Sequence, residues 1–118
     1  MPNPIVHWEI AVADDARAHK FYRDIFGWKI DANNPMNYGM VDTGGQGING
    51  GIYRNTHGAP SVMLYVMVDD LNSYLKKIEQ AGGKTVSQPM DIPGIGQSAT
   101  FKDPDGVIVG LFKPLKGM

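Results

Sequence analysis

The sequence predicts an α+β domain made of two similar βαβββ modules, and three observations support this fold class. The chain has 118 residues, which is enough for one domain of ordinary size. Residues 10–30 and residues 66–86 show the same succession of strand, acidic pair and amphipathic helix. Short β-rich segments separated by Gly- and Pro-rich turns follow in each half. We therefore expect a single domain over residues 1–118, with the first module at about 4–56 and the second at about 60–115.

Each module is predicted to begin with a strand that leads into a helix. The β-rich segments Ile5–Val12 and Val62–Val68 are the predicted first strands. Two aspartates follow each of them, Asp14-Asp15 in one case and Asp69-Asp70 in the other. Aspartate before a helix accepts hydrogen bonds from free backbone N–H groups and complements the positive end of the helix dipole. The two acidic pairs therefore indicate helix starts.

Apolar residues spaced three and four apart predict one amphipathic helix in each module. The apolar stripes consist of Ala18, Phe21, Tyr22, Ile25 and Phe26 in the first helix and of Leu71, Tyr74, Leu75 and Ile78 in the second. Both helices are expected to end at glycine, the first at Gly27 and the second at Gly82-Gly83. Glycine is favoured there because the chain often leaves a helix through a left-handed conformation.

A strand is expected directly after each helix, and two further strands complete each module. These later strands are predicted at Tyr38–Val41, Ile48–Tyr53, Gln97–Phe101 and Val107–Phe112. The sequence Asp103-Pro104-Asp105-Gly106 has the residue preferences of a type I turn between two strands. The glycine-rich segment Gly44–Gly51 is interpreted as a hairpin, because it lacks the Lys-Ser/Thr ending of a phosphate loop and does not open a helix.

Charge and composition exclude several classes of function. The formal net charge of -1 provides no basic surface of the kind that binds nucleic acid or acidic membranes. The chain has no cysteine, which excludes disulfides, thiolate nucleophiles and Cys-ligated zinc. We expect a cytoplasmic protein, because the sequence also shows no signal segment and no apolar run long enough to span a bilayer.

Alternation along the first strand of each module separates two faces of the sheet. In the first module Val6, Trp8, Ile10 and Val12 are expected to pack against the helix, with His7, Glu9 and Ala11 on the opposite face. In the second module Val62, Leu64, Val66 and Val68 are expected to pack against the helix, with Met63, Tyr65 and Met67 opposite. A mixed face of this kind suits the wall of a ligand cavity, and the alternatives are a solvated face or a subunit interface.

Three segments resemble the glyoxalase, bleomycin-resistance and extradiol-dioxygenase superfamily, also called the vicinal oxygen chelate superfamily. They are Ile5–Val12 with Phe21–Trp28, Val68–Leu71 with Ala81–Gly83, and Phe101–Gly106. The resemblance implies that the two βαβββ modules form a curled mixed sheet, the glyoxalase/bleomycin resistance fold, with a small organic molecule held in a cup between them. It also implies a homodimer, and in some members a metal site in the cup.

The family's metal ligands, usually His, Glu or Gln, come from the first and last strands of each module, and this chain matches one of the four positions. His7 is the match in the first module, whereas the equivalent position in the second module is Met63. The last-strand position of the second module is Gly110, and the remaining position falls within residues 51–54. A catalytic metal generally needs about three protein ligands. We therefore expect no metal and no cofactor, with a divalent metal held partly by His7 as the alternative.

The candidate site combines two titratable residues with a set of aromatic and thioether side chains. His7 and Glu9 are the candidate catalytic residues, because they share one strand face and imidazole can transfer protons at neutral pH. His19 and His57 are expected on the solvated surface. The predicted ligand-binding residues are Tyr38, Met40, Tyr53, Met63, Tyr65, Met67, Phe101 and Phe112.

The sequence favours a small-molecule-binding protein with an incomplete metal site, and it leaves open whether the protein is an enzyme. One alternative is a metal-dependent lyase, isomerase or dioxygenase of the glyoxalase type using His7, or a cofactor-free enzyme using His7 and Glu9. The other is a scaffold used only for subunit contacts. Fold alone cannot choose among them, because one architecture hosts many activities.

Overall fold

The computed structural model describes residues 2–115, which contain ten helices and strands. The first module contains β1 (Ile5–Val12), α1 (Asp15–Phe26), β2 (Lys29–Asp31), β3 (Gly39–Asp42) and β4 (Gly50–Arg54). The second module contains β5 (Ser61–Met67), α2 (Leu71–Gln80), β6 (Lys84–Ile92), β7 (Gly96–Lys102) and β8 (Ile108–Pro114). The predicted α+β class with two βαβββ modules is confirmed. Neither helix within residues 2–115 is long and apolar enough to cross a membrane.

Each module has a mixed sheet with the same internal order. In the first module the strands lie in the order β2-β3-β4-β1, and β1 runs parallel to β4 while the other neighbours are antiparallel. In the second module the order is β5-β8-β7-β6, and β5 runs parallel to β8. By their internal contacts the described residues form two compact units. One unit is His7–Met63, and the other consists of the residues up to Val6 together with those from Leu64 onward.

The helix ends are capped as the sequence predicts. The Asp14 carboxylate accepts a hydrogen bond from the Arg17 backbone N–H at 3.0 Å, and Asp70 accepts one from Ser73 N–H at 3.2 Å. Gly27 ends α1 with φ at 70°, and its N–H donates to the carbonyl of Arg23 at 2.9 Å. These contacts satisfy backbone groups that the helices leave without intrahelical partners.

The core of the first module lies between α1 and one face of its sheet. Ile30, Val41 and Ile52 are buried, and Trp8, Ile10, Val12, Ala18, Tyr22 and Trp28 pack against them. The predicted helix-facing side of β1 is therefore confirmed for Trp8, Ile10 and Val12. The predicted helix stripe is partly wrong, because Phe21, Ile25 and Phe26 are each more than half exposed. Phe26 is the last residue of α1.

His19 is buried in the first module, contrary to the expectation that it lies on the solvated surface. The side chain is 5% exposed, and its Nε2–H donates to the backbone carbonyl of Ile52 at 3.0 Å. It precedes Tyr22 by three residues and so lies on the same helix face, the one that meets the sheet. The imidazole also fills the space over Gly39, where a Cβ atom would overlap it. His57, by contrast, is exposed as expected.

The core of the second module lies between α2 and its own sheet. The buried residues are Val68, Leu71, Leu75, Ala99 and Leu111, and Val66, Tyr74, Ile78 and Phe101 pack against them. Phe101 therefore belongs to the helix-side core and not to the opposite, ligand-binding face predicted for it. Val62 and Leu64 also differ from expectation, since they are 67% and 44% exposed. Helix α2 contacts mainly β6, β7 and β8, and of β5 only Val66, near its end, packs against the core.

Two predicted turns are confirmed. The Asp103 carboxylate accepts hydrogen bonds from the N–H groups of Asp105 and Val107, both at 2.9 Å, and the turn joins β7 to β8. Gly106 N–H donates to the carbonyl of Asp103 at 2.9 Å, which closes the turn. The glycine-rich segment connects β3 to β4, which pair antiparallel, and so it forms a hairpin as expected.

Candidate functional site

The candidate site lies on the face of the first module's sheet that is turned away from α1. Side chains of a strand alternate, and Ile30, Val41 and Ile52 point into the core. Their neighbours along the strands therefore point the opposite way. We call this the polar face, and it carries His7, Glu9, Lys29, Asp31, Met40, Asp42 and Tyr53.

Tyr38 connects the two predicted catalytic residues. Its hydroxyl donates a hydrogen bond to Glu9 Oε2 at 2.8 Å, and the same oxygen lies 2.8 Å from His7 Nε2. A phenol has one proton, so the oxygen that donates to Glu9 accepts from His7 Nε2–H. The three side chains form one chain of hydrogen bonds, which we call the His7–Tyr38–Glu9 relay. Sequence reasoning placed Tyr38 only in the cavity wall, because the residues it links are 31 and 29 positions away.

The backbone around Tyr38 holds its ring in place. The side-chain amide of Asn34 accepts from Tyr38 N–H at 2.9 Å and donates to the Tyr38 carbonyl at 2.7 Å. Asn37 has φ of 52°, a left-handed conformation that non-glycine residues seldom adopt. Gly51 pairs with Glu9 in the sheet, and a Cβ atom there would overlap the ring of Tyr38. The absence of a side chain at Gly51 lets the hydroxyl reach the carboxylate.

Burial changes the acid–base properties of two side chains on this face. Desolvation lowers the pKa of His7 below its ordinary value of 6.5, and the negative charge of Glu9 opposes part of that change. Desolvation raises the pKa of the Tyr53 hydroxyl, and the charge of Glu9 raises it further. At neutral pH the imidazole is therefore uncharged and the Tyr53 phenol keeps its proton.

A cavity of about 470 Å³ opens beside this group of residues. Its lining includes His7, Lys29, Asp31, Met40, Asp42 and Asn49. The ring of His7 stacks on that of Tyr38 with an interplanar angle of 21°, and Tyr38 stacks on Tyr53 at 23°. The cavity thus combines a charged rim with a run of nearly parallel rings next to it.

The sequence of this chain matches a known protein family. Residues 4–111 match the family model described as Glyoxalase/Bleomycin resistance protein/Dioxygenase superfamily. The chain belongs to this superfamily. CFP32 from Mycobacterium bovis is 30% identical over 115 residues, which cover 89% of this chain and 43% of that protein. The chain therefore spans less than half the length of this curated relative.

Solved structures of a glyoxalase and a dioxygenase show the same fold. The Mn(II)-bound glyoxalase from Novosphingobium aromaticivorans matches with a TM-score of 0.68 and 18% identity, over 95% of this chain and 40% of that one. Homoprotocatechuate 2,3-dioxygenase from Brevibacterium fuscum, in complex with 3,4-dihydroxyphenylacetate, matches with a TM-score of 0.70 and 17% identity. That match covers 96% of this chain and 38% of the dioxygenase chain. The glyoxalase/bleomycin resistance fold predicted from the sequence is confirmed.

The residues that this chain has at the superfamily's metal-ligand positions are not suited to binding a metal ion. His7 Nε2 is hydrogen-bonded to Tyr38, and Met63 has a thioether that suits divalent metals poorly. In the two last strands, Gly51 is covered by the ring of Tyr38 and Gly110 by the ring of Tyr65. Within residues 2–115 no three His, Asp or Glu side chains lie close enough to hold a metal ion.

Apart from Phe101, the predicted ligand residues of the second module lie on the face of its sheet opposite the core. Tyr65 pairs with Gly110, and Met67 pairs with Phe112. The side chains of Tyr65, Met67 and Phe112 are half-buried. Their neighbours Val66 and Leu111 point into the core. A second cavity, of about 630 Å³, lies near the β6–β7 turn of this module and includes none of these residues in its lining.

Proposed function

We propose that this protein binds a small organic molecule on the polar face of its first module. The observation that carries the proposal is the His7–Tyr38–Glu9 relay beside a cavity of about 470 Å³. Small-molecule sites usually have volumes of about 300–1,000 Å³ with a few placed polar groups on otherwise apolar walls. Superfamily membership agrees with such a function, since the solved dioxygenase relative contains an aromatic acid.

The shape of the site favours a flat ligand. The rings of His7, Tyr38 and Tyr53 are nearly parallel, and a planar molecule can continue such a stack. The Met40 thioether, which is more than half exposed, adapts to irregular apolar surfaces. We therefore propose Tyr38, Met40 and Tyr53 as ligand contacts and His7 with Glu9 as the polar centre.

We also propose, from the sequence, that four side chains of the second module contact a ligand. Met63, Tyr65, Met67 and Phe112 are half-buried aromatic or thioether side chains, as a ligand wall requires. Phe101 packs in the core and is not a proposed ligand contact.

Thermal denaturation with flat aromatic ligands tests the proposal. Catechol, phenylpyruvate and 1-naphthoate are suitable probes, and a ligand that binds only the folded state raises the melting temperature. We expect Met40→Ala to weaken this stabilisation, while Met36→Ala, at an exposed methionine in the loop before β3, leaves it unchanged. If none of the three compounds raises the melting temperature, or if both methionine variants behave alike, the proposed site is wrong.

We also propose that the protein is a cytoplasmic homodimer. The exposed apolar side chains of Phe21, Ile25 and Phe26 agree with a subunit contact, because such patches are often interaction sites. The lack of cysteine agrees with a reducing compartment. Analytical ultracentrifugation of the protein and of Ile25→Glu tests the dimer, and a monomer in both samples contradicts it.

A further inference from the structure

We propose that the second module has a ligand site of its own at the end of its sheet, and that this site takes a zwitterionic dipeptide with apolar side chains. The site is the cavity of about 630 Å³ beside the β6–β7 turn. All of its lining residues belong to the second module. The inference therefore does not depend on the ligand proposed for the first module.

Three polar side chains form a row across the strands that line this cavity. Asp91 of β6 pairs with Gln97 of β7, and Gln97 pairs with Lys113 of β8. Residues that are directly opposite in antiparallel strands have their side chains on the same face of the sheet. The Gln97 Nε2–H donates to Asp91 Oδ1 at 2.8 Å, as expected for neighbours on one face. We call these residues the Asp91–Gln97–Lys113 row.

The row ends in two opposite charges that Gln97 separates. Both charged side chains are exposed, and neither forms an ion pair within the described residues 2–115. Neighbouring strands lie about 4.8 Å apart, so the Cα atoms of Asp91 and Lys113 are roughly 10 Å from each other. A ligand with a positive charge at one end and a negative charge at the other is attracted at both ends of such a row.

The order of groups in the row is complementary to a dipeptide. A dipeptide presents an ammonium, a peptide group and a carboxylate in sequence. Asp91 can accept from the ammonium, Lys113 can donate to the carboxylate, and the amide of Gln97 can bond to the peptide group. Two extended residues span about 7 Å, and a single residue spans about half of that. The length of the row therefore favours a dipeptide over a free amino acid.

Apolar side chains line the rest of the cavity. They are Ile92, Pro93, Pro114 and Leu115. Leu115 is 46% exposed, so a ligand side chain that contacts it removes apolar surface from water. The cavity volume lies in the range of about 300–1,000 Å³ that is usual for small-molecule sites. We therefore expect a dipeptide with apolar side chains to bind better than a polar one.

The β6–β7 turn gives this end of the sheet a defined shape. Ile95 N–H donates to the carbonyl of Ile92 at 2.9 Å, and Gly94, which follows Pro93, has a φ of 80°. Proline followed by glycine at positive φ is the pattern of a type II turn. Leu115 N–H donates to the Ile95 carbonyl at 3.1 Å, which ties the turn to the end of β8. A site that is formed before the ligand arrives loses little conformational freedom on binding.

Titration of the isotope-labelled 118-residue chain with the dipeptide Ala-Leu tests the site. Amide NMR signals around the β6–β7 turn and the end of β8 report binding there, and those of the polar face report the first module. We expect saturable shifts in the first set of signals. N-acetyl-Ala-Leu lacks the ammonium and Ala-Leu amide lacks the carboxylate, so each should bind about fivefold more weakly. Free leucine should also bind more weakly than Ala-Leu.

Variants test the two ends of the row separately. Asp91→Asn and Lys113→Met are each expected to weaken Ala-Leu binding by about fivefold, while Lys113→Arg retains it. Asp105→Asn and Lys102→Met are the matched controls, because they remove the same charges at exposed positions at the opposite end of the sheet. Asp91→Asn should not weaken binding of N-acetyl-Ala-Leu any further, since the ammonium that Asp91 pairs with is absent from that compound.

The outcomes that contradict the inference are distinct from those that contradict the proposed function. If Ala-Leu shifts no signals around the β6–β7 turn, or shifts only those of the polar face, the site is wrong. If the acetylated and amidated dipeptides bind as tightly as Ala-Leu, the row does not recognise the charged ends. Equal losses of affinity in the row variants and in the control variants would show an effect of net charge alone and overturn the inference. The ligand proposed for the first module has its own probes and its own signals, so it stands or falls separately.

Discussion

The ring of Tyr38 lies over Gly51, in the space where any other residue would have its Cβ atom. Gly51 is the sheet partner of Glu9. Because Gly51 has no side chain, the Tyr38 hydroxyl can lie over its backbone and donate a hydrogen bond to the Glu9 carboxylate. Tyr65 lies over Gly110 in the second module in the same manner. In both modules a tyrosine ring therefore fills the space next to the last strand. A metal-binding side chain on that strand would have to occupy the same space.

A methyl group at Gly51 is expected to displace Tyr38. Gly51→Ala should lower the free energy of unfolding by about 1–3 kcal/mol, because it overpacks a filled space. Urea denaturation measures this loss. Gly58→Ala is the control, since a Cβ atom there has no neighbour closer than the 4.0 Å to Asn55 Nδ2. Equal stability of Gly51→Ala and the native protein would show that Tyr38 is free to move aside.

A single substitution is not expected to restore the superfamily's metal site. In Gly110→Glu the new carboxylate must displace the ring of Tyr65, and Met63 still contributes no suitable ligand. We expect calorimetric titration with Mn²⁺ to show no stoichiometric binding by this variant, and its stability to fall. Tight binding of one ion per chain by Gly110→Glu would contradict this account of the site.

His19 is expected to matter for stability although it has no predicted role in binding. His19→Ala removes the N–H group that donates to the buried Ile52 carbonyl. Loss of this hydrogen bond should lower the free energy of unfolding by about 1–3 kcal/mol. His57→Ala, at an exposed loop position, should change stability by less than about 0.5 kcal/mol. Thermal and urea unfolding of both variants measure the difference, and similar small effects at the two positions would refute it.

The lowered pKa of His7 predicts how stability depends on pH. Below pH 6.5 the unfolded chain binds a proton at His7 more readily than the folded protein does. The free energy of unfolding therefore falls as the pH drops below this value, and the effect levels off below the folded pKa. Urea denaturation between about pH 5 and pH 8 should show a smaller fall for His7→Gln than for the native protein. His57→Gln should retain the native slope, and an unchanged slope in His7→Gln would argue against burial as the cause.

The local pattern of the sequence determined the modules and one part of the site. Alternation along β1 places His7 and Glu9 together on one face, and the aspartate caps and glycine ends define where the helices begin and stop. These features depend on residues within a few positions of one another. They were predictable because strand and helix periodicity is a local property of the chain.

Only the tertiary structure decided which residue completes the site and which surfaces are buried. Tyr38 joins His7 and Glu9 from positions 31 and 29 residues away, through a pairing of β3 and β4 that no nearby residue specifies. His19 is buried and Phe21 is exposed because the rotation of α1 about its axis is fixed by packing on the sheet. Amphipathic spacing predicts an apolar stripe, but the surface that the stripe covers is formed by strands distant in sequence.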